Sequence, residues 1–226
     1  MCVHVPHISK MKKYILSFLL PLLVLTIAFT ACSESNDEEE EFTEWQSTND
    51  SYFDNLYAQT KAKIAAGDAS WKIIKNWTLD SGNVAMHSYD HIIVRVIKNG
   101  DSDVKPFYHD SVRVHYTGRL IPSKSYPSGY KFDQSYKGEF NPATAVPAQF
   151  KVSGVVEGFT TALLNMNLGD RWEVYIPYQL GYGEEDKSPI PGYSTLIFDI
   201  NLVGIYRLGT SAPDWNAKPN DMWEME

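Results

Sequence analysis

Cysteine is nearly absent. The 226 residues hold two, Cys2 and Cys32, both close to the N-terminus, so neither a disulfide framework nor a cysteine-based zinc site can be built. Histidine is sparse too. Beyond residue 31 only His87, His91, His109 and His115 remain, and none forms an H-E-x-x-H pair, which argues against a zinc hydrolase. His115 alternates with Val114 and Tyr116 and reads as a hydrogen-bonded structural histidine. There is no G-x-S-x-G elbow, no G-x-G-x-x-G, no phosphate loop and no internal repeat. Glu184, Glu185 and Asp186 are clustered, but they read as a solvated loop rather than a calcium site or a catalytic carboxylate pair. Basic charge is also in deficit, 20 lysines and arginines against 28 acids, a formal net charge of −8. That balance argues against a nucleic-acid partner, whose binding rests on cationic contacts to phosphate. No metal and no cofactor are expected.

What the chain does have is apolar and aromatic. At 43% hydrophobic and 13% aromatic it can bury a sizeable core, and its length suits one ordinary domain with extensions. Such a composition suits a binding pocket, or a reaction that needs no nucleophile.

The first segment is an address. "MKKYILSFLLPLLVLTIAFTAC" runs from Met11 to Cys32, with Lys12 and Lys13 ahead of an apolar run and small residues before the cysteine. That order reads as a secretory signal over residues 1–31, with Met11 as the true start. Pro21 interrupts the run and acids follow it, which argues against an uncleaved membrane anchor. "FTAC" resembles a bacterial lipobox, implying cleavage before Cys32 and lipidation of its thiol. Residues 32–48, with "SESNDEEEEFTE", read as an acidic tether. Acids just after a lipidated cysteine resemble the export signal of some Gram-negative surface lipoproteins. The expected location is therefore the outer membrane, facing the periplasm or the cell surface.

Beyond the tether, "NDSYFDNLYAQTKAKIAAGD" predicts a helix. Asn49, Asp50 or Ser51 can cap it, Phe53, Leu56, Tyr57 and Ile64 share a face, and Gly67 ends it. Residues 49–89 form an N-terminal extension around that helix. From Trp71 the period shortens: "WKIIKNW", "HIIVRVI", "VRVHYTGRL", "RWEVYIPY" and "TLIFDINLVGIY" read as strands. Between them "VVEGFTTALLNMNLGD" is the one later helix, with Val156, Phe159, Leu163 and Met166 at helical spacing and Gly169 as a stop. The fold class is α+β, a mostly antiparallel sheet folded against a helix. Residues 207–226 read as an irregular tail.

The order "VHYTG", "KFDQS", "VVEGFTTALLNMNLGDRWEVYIPYQLGYG", "IPGYSTLIFDINL" resembles the FKBP type of peptidyl-prolyl cis-trans isomerase over residues 90–206. The resemblance implies a five- or six-stranded antiparallel sheet wrapped around one short helix, with a proline ring entering an apolar cup between them. It implies that Tyr116, Phe132, Asp133, Val156, Phe159, Tyr182 and Phe198 form the catalytic cup, with Val155 and Ile190 completing the substrate site. The Val156 N–H and the Tyr182 hydroxyl would hold substrate carbonyls. Phe159 would be the floor, where the family usually has tryptophan, and Asp133 would accept hydrogen bonds from pocket groups such as Tyr182. The implied partners are proline-containing peptides or unfolded client proteins, with the membrane reached through the N-terminal lipid.

Some positions depart from the pattern. Ala148 stands where the family often has a ring near Phe150, the segments before Phe132 and Phe150 are long, and Lys137 is the nearest substitute for the arginine that often pairs with the aspartate. Taken singly, Tyr116, Val156, Phe159 and Phe198 would be ordinary core residues of any α+β domain. Taken as an ordered set, with Gly181 and Gly183 flanking Tyr182, they point to a pocket. The alternatives are a non-catalytic binding module built on the same cup, and a surface lipoprotein that works through its N-terminal helix.

Overall fold

Alternating apolar residues become one antiparallel sheet in the computed structural model, which describes residues 41–79, 87–142 and 144–213. The readings made for residues 1–40, including the start at Met11 and lipidation of Cys32, lie outside the described residues, as does the tail beyond Pro213.

Helix α1 spans Trp45–Ala65 and is followed by β1 (Trp71–Lys75), β2 (His91–Lys98), β3 (Ser111–Leu120), β4 (Lys131–Gln134) and β5 (Ala148–Lys151). Helix α2 (Glu157–Asn165), β6 (Arg171–Ile176) and β7 (Leu196–Tyr206) complete the domain. The strand order is β1-β2-β6-β7-β3-β4, with β5 also on β3. β4 pairs with Thr117–Arg119 and β5 with Ser111–Val114, so the two share one side of β3 as an edge strand interrupted at 135–147. The sheet has seven strands rather than five or six, because β1, from the N-terminal extension, pairs in register with β2 from Trp71↔Arg95 to Lys75↔His91.

Consecutive residues on a strand point to opposite faces. Ile92, Ile93 and Val94 are all fully buried, so both faces of β2 are covered. Helix α2 packs on β1, β2 and β6, and helix α1 on β1 and β2. Burying each such aliphatic side chain is worth roughly 1.5–3 kcal/mol. In α2, Gly158 permits the close approach: a Cβ there would stand 2.3 Å from Cγ2 of Ile176. The helix stops at Asn165, so Met166, expected on its face, is extended though fully buried. Gly169, expected as the stop, sits four residues later at φ 91° in the turn into β6.

Helix α1 starts four residues before its expected first cap. Glu44 precedes it at φ 52° with no side-chain cap, and Asn49 lies inside the helix. Asn49 is fully buried; its Nδ2 donates to the Trp45 carbonyl at 2.7 Å and its Oδ1 accepts the Thr195 N–H at 2.7 Å. Trp45 Nε1 donates to Ser194 Oγ at 2.8 Å. Ahead of the helix, the Glu41 carboxylate accepts Ser123 Oγ at 2.5 Å and the Ser125 N–H at 3.0 Å. Those serine bonds hold it below the usual carboxylate range. Residues 41–48, read as tether, are therefore folded onto the domain, because Trp45 has a ring to bury and a donor to satisfy. Gly67 ends the helix as expected, at φ 89°, with its N–H on the Ile64 carbonyl. Ile64, expected on the packed face, is 40% exposed, and the buried positions are Trp45, Asn49, Phe53 and Thr60.

Candidate functional site

Strand alternation decides which side chains of β3 face α2. Tyr116 and Gly118 lie two apart on one face, and Val112 on the same face is paired with Phe150 of β5. Phe198 of β7 is opposite Gly118, and so is Asp133 of β4 on the other side. The missing side chain of Gly118 is filled by rings: a Cβ there would lie 2.5 Å from the Phe132 ring and 2.7 Å from the Phe198 ring.

These residues line a cleft of about 650 Å³ between sheet and helix. All nine residues implied for the cup lie on its wall: Tyr116, Phe132, Asp133, Val155, Val156, Phe159, Tyr182, Ile190 and Phe198. Phe159, from the first turn of α2, is 4% exposed and forms the floor. Its centroid is 5.1 Å from that of Phe198 with the planes at 88°, and 6.4 Å from that of Tyr116 at 86°. Phe198 in turn meets Phe132 edge-on at 5.6 Å. Edge-to-face packing of this kind fixes ring directions as well as burying area.

One hydrogen bond spans the cup. Tyr116 Oη donates to Asp133 Oδ2 at 2.5 Å, and Asp133 Oδ1 accepts the Gln134 N–H at 2.8 Å. The expected link from Asp133 to Tyr182 is thus replaced by one to Tyr116, its diagonal neighbour across paired strands. Burial, and then the bond to Asp133, push the Tyr116 phenol well above its ordinary value. It is a protonated donor at neutral pH, with its proton committed to the carboxylate. Among the described residues no lysine or arginine forms an ion pair with Asp133, and Lys137, its expected stand-in partner, is exposed.

Tyr182 and Val156 each bring a donor to the cleft. Tyr182 is 42% exposed, and no hydrogen bond with a described residue occupies its hydroxyl. Its mount is set by its neighbours: the N–H groups of Gly181 and Gly183 both donate to the Tyr178 carbonyl at 2.9 Å, and Gly183 takes φ 74°. Val156 is the N-cap of α2, its carbonyl accepting the Thr160 N–H at 3.0 Å. Its own N–H has no acceptor among the described residues. Ile190, 6% exposed, closes the rim, pinned by two 2.8 Å backbone bonds with Lys187.

Sequence reasoning left Phe150, Gly154, Lys187, Ser188 and Pro189 out of the site, and all five line the cleft. Phe150 had a signal in its alternation with Ala148, which places both on the Tyr116 side of β5; the ring lies 5.6 Å from Tyr116 and 6.3 Å from Phe159. Lys187 had none, because its place depends on how the 181–192 loop folds back. His115 is buried on the opposite face of β3, edge-on to Phe140 at 5.0 Å, and takes no part in the cleft.

Residues 102–203 match the family model for FKBP-type peptidyl-prolyl cis-trans isomerases. The chain is 42% identical over 112 residues to an FKBP-type 22 kDa peptidyl-prolyl cis-trans isomerase of Escherichia coli (strain K12), covering 49% of this chain and 48% of the relative. It is 40% identical over 98 residues to FK506-binding protein 2 of Aspergillus oryzae (strain ATCC 42149 / RIB 40), covering 42% and 65%. The solved structure of a peptidyl-prolyl cis-trans isomerase from Pseudomonas syringae pv. tomato str. DC3000 aligns at 27% identity with a TM-score of 0.45, over 67% of this chain and 93% of that one. The chain spans about half the length of the E. coli relative it matches. Residues 102–203 are thus the part of the chain that is similar to FKBP-type peptidyl-prolyl cis-trans isomerases.

Proposed function

We propose that the protein accelerates rotation about X–Pro bonds in polypeptides outside the cytoplasm, held at a membrane by a lipid on Cys32. The observation that carries the isomerase reading is the pairing of an apolar floor with two uncommitted donors. Phe159 and Phe198 offer ring faces and edges, while Tyr182 Oη and the Val156 N–H stand at the same cleft.

An X–Pro bond rotates over a barrier of about 18–20 kcal/mol, because twisting it breaks amide conjugation. Water favours the dipolar planar amide. An apolar floor offers no such solvation, so the less conjugated twisted state gains relative to the planar one. Tyr182 and Val156 then hold the flanking carbonyls while the bond turns. Asp133 keeps the Tyr116 ring fixed in the wall and transfers no proton. The two forms of an X–Pro bond lie within about 1 kcal/mol, so the bond is close to balanced and only the barrier needs lowering. Polypeptides are the fitting partners for so apolar a cleft on a chain of net charge −8.

Proline-limited refolding of a reporter protein, and turnover of a short proline peptide, test the reading. Binding of proline peptide without any acceleration would instead support a binding module on the same cup. Mass spectrometry of the membrane fraction tests the anchor: a diacylated or triacylated Cys32 at the new N-terminus is expected, and an unmodified Cys32 within an intact leader would refute it.

A further inference from the structure

A second groove lies beside the aromatic cleft. Helix α1 and two short turns, Ser88–Asp90 ahead of β2 and Tyr178–Leu180 after β6, enclose about 280 Å³. That is just below the roughly 300–1,000 Å³ of pockets for drug-sized ligands, and it fits one long side chain.

Its chemistry is acidic and aromatic. Asp50 and Asp54 stand four residues apart on α1, a like-charged spacing that is unfavourable to a helix unless something compensates it. Among the described residues neither carboxylate forms an ion pair. Asp54 Oδ1 accepts the Ser88 hydroxyl at 2.5 Å. Burial and then the charge of Asp54 push the Asp50 carboxyl up, the mark of two anions lacking a counterion. Burial, and then the charge of Asp50, push the Tyr178 hydroxyl up. Phe53, Tyr89 and Tyr178 supply ring surface. Thr195, 1% exposed, lines the same groove, and its buried hydroxyl has no hydrogen-bond partner among the described residues. A buried hydroxyl left unmatched is costly, so a ligand donor is the group missing from this wall.

We propose that the groove is a subsite for a lysine or arginine side chain of the same polypeptide whose proline occupies the aromatic cleft. The proposal rests on the isomerase reading above. A cation there meets two carboxylates, a tyrosine face on which it can stack and a hydroxyl awaiting a donor. Arginine, with five donors in a planar fork, suits such converging acceptors better than lysine. The Tyr178–Leu180 turn connects the two sites. Gln179 lines the groove and Tyr182 the cleft, three residues apart and so no more than about 11 Å along the chain. A substrate with roughly three to six residues between cation and proline spans that interval. The second contact is then intramolecular and lowers KM without touching the chemical step.

The test uses proline peptides of one length carrying arginine, glutamine or glutamate at that spacing, on either side of the proline. The arginine peptide should have a KM roughly tenfold below the glutamine peptide, with equal kcat, and moderate salt should shrink the gap. The double variant Asp50→Asn/Asp54→Asn, whose amide oxygen at position 54 can still accept from Ser88, should remove the preference and leave turnover of the glutamine peptide unchanged. Asp50→Arg should do the same by supplying the cation from within. Melting temperatures establish that each variant is folded. Equal KM for arginine and glutamine peptides, or an arginine preference that survives the double variant, would overturn the proposal. Failure of the isomerase reading looks different: the wild-type protein would turn over no peptide at all, while shifts of the Thr195 and Tyr89 amides on titration with the arginine peptide would still report occupation of the groove.

Discussion

Phe159 does two jobs at once, since the same ring closes the core from below and the cleft from above. The two can be separated by size. An indole fits a floor that is open on one side, so Phe159→Trp should keep or raise peptide turnover and change melting little. In a closed core the larger ring would cost about 1–3 kcal/mol. Stability and turnover measured together decide: a strongly destabilised tryptophan variant would mean that the cleft ends above Phe159. Tyr182 gives the complementary case. Its hydroxyl is exposed and bonds to no described residue, so Tyr182→Phe should leave stability within about 0.5 kcal/mol. Peptide affinity should fall by roughly 0.5–1.5 kcal/mol, the net worth of one hydrogen bond, or about two- to tenfold. Full affinity in this variant would remove Tyr182 from the site. Asp133→Asn keeps an acceptor for Tyr116 but weakens a charge-assisted bond, so partial loss of activity with no new titration step is expected. A pH profile that lost a single titrating group in that variant would make Asp133 an acid or base instead. At Gly118 any side chain meets the Phe132 and Phe198 rings; Gly118→Ala should move both walls and lower turnover together with stability.

Among the elements, α1 shows how far local patterns reach. Its existence and its glycine stop were legible in the sequence, and so were the main strand periods and a helix following Val156; the exposure of Ile64 and the helix end at Asn165 were not. The place where α1 begins was not. Asn49 has the chemistry of a cap, and only the arrival of Thr195, just ahead of β7, turns it into an anchor deep inside the helix. Tertiary contact overrode the capping signal because a buried backbone N–H without an acceptor costs about 1–3 kcal/mol. Asn49→Ala should cost stability on that scale, measured by urea unfolding, and leave turnover of the folded protein near normal. Loss of activity without loss of stability would show that α1 acts on the cleft directly. The cup itself was legible through motif order, since each wall residue sits in a short stretch with a recognisable pattern. The partner of Asp133 was not, because Tyr116 and Tyr182 are both aromatic hydroxyls and only strand pairing chooses between them. Lys187 and the groove along α1 were invisible for a similar reason: both depend on loops whose course no periodicity encodes.

At the scale of the whole molecule, one source of acid sensitivity lies on the face of β3 opposite the cleft. Burial holds the His115 imidazole below its ordinary 6.5, so the fold keeps it neutral. The unfolded chain takes up a proton as pH falls through 6.5 while the folded one does not, so stability is full above that value and declines below it, down to the lowered folded pKa. Urea unfolding at pH about 8 and about 5.5 should show that decline, and His115→Gln should flatten it above the range in which carboxylates titrate. An unchanged slope in the variant would place the acid sensitivity elsewhere. At the far end of the sheet, β1 has a different consequence for the population of molecules. It is the last strand, five residues long, and it carries Lys72 and Lys75, with the Lys72 ammonium 4.7 Å from the Trp172 ring centroid. A sheet edge is a template on which another copy can add its own edge. Two copies meeting along β1 would bring lysine toward lysine, which opposes a growing sheet. Two charges on five residues thus guard this edge, and Lys72→Val/Lys75→Val should raise concentration-dependent light scattering above that of the unsubstituted protein.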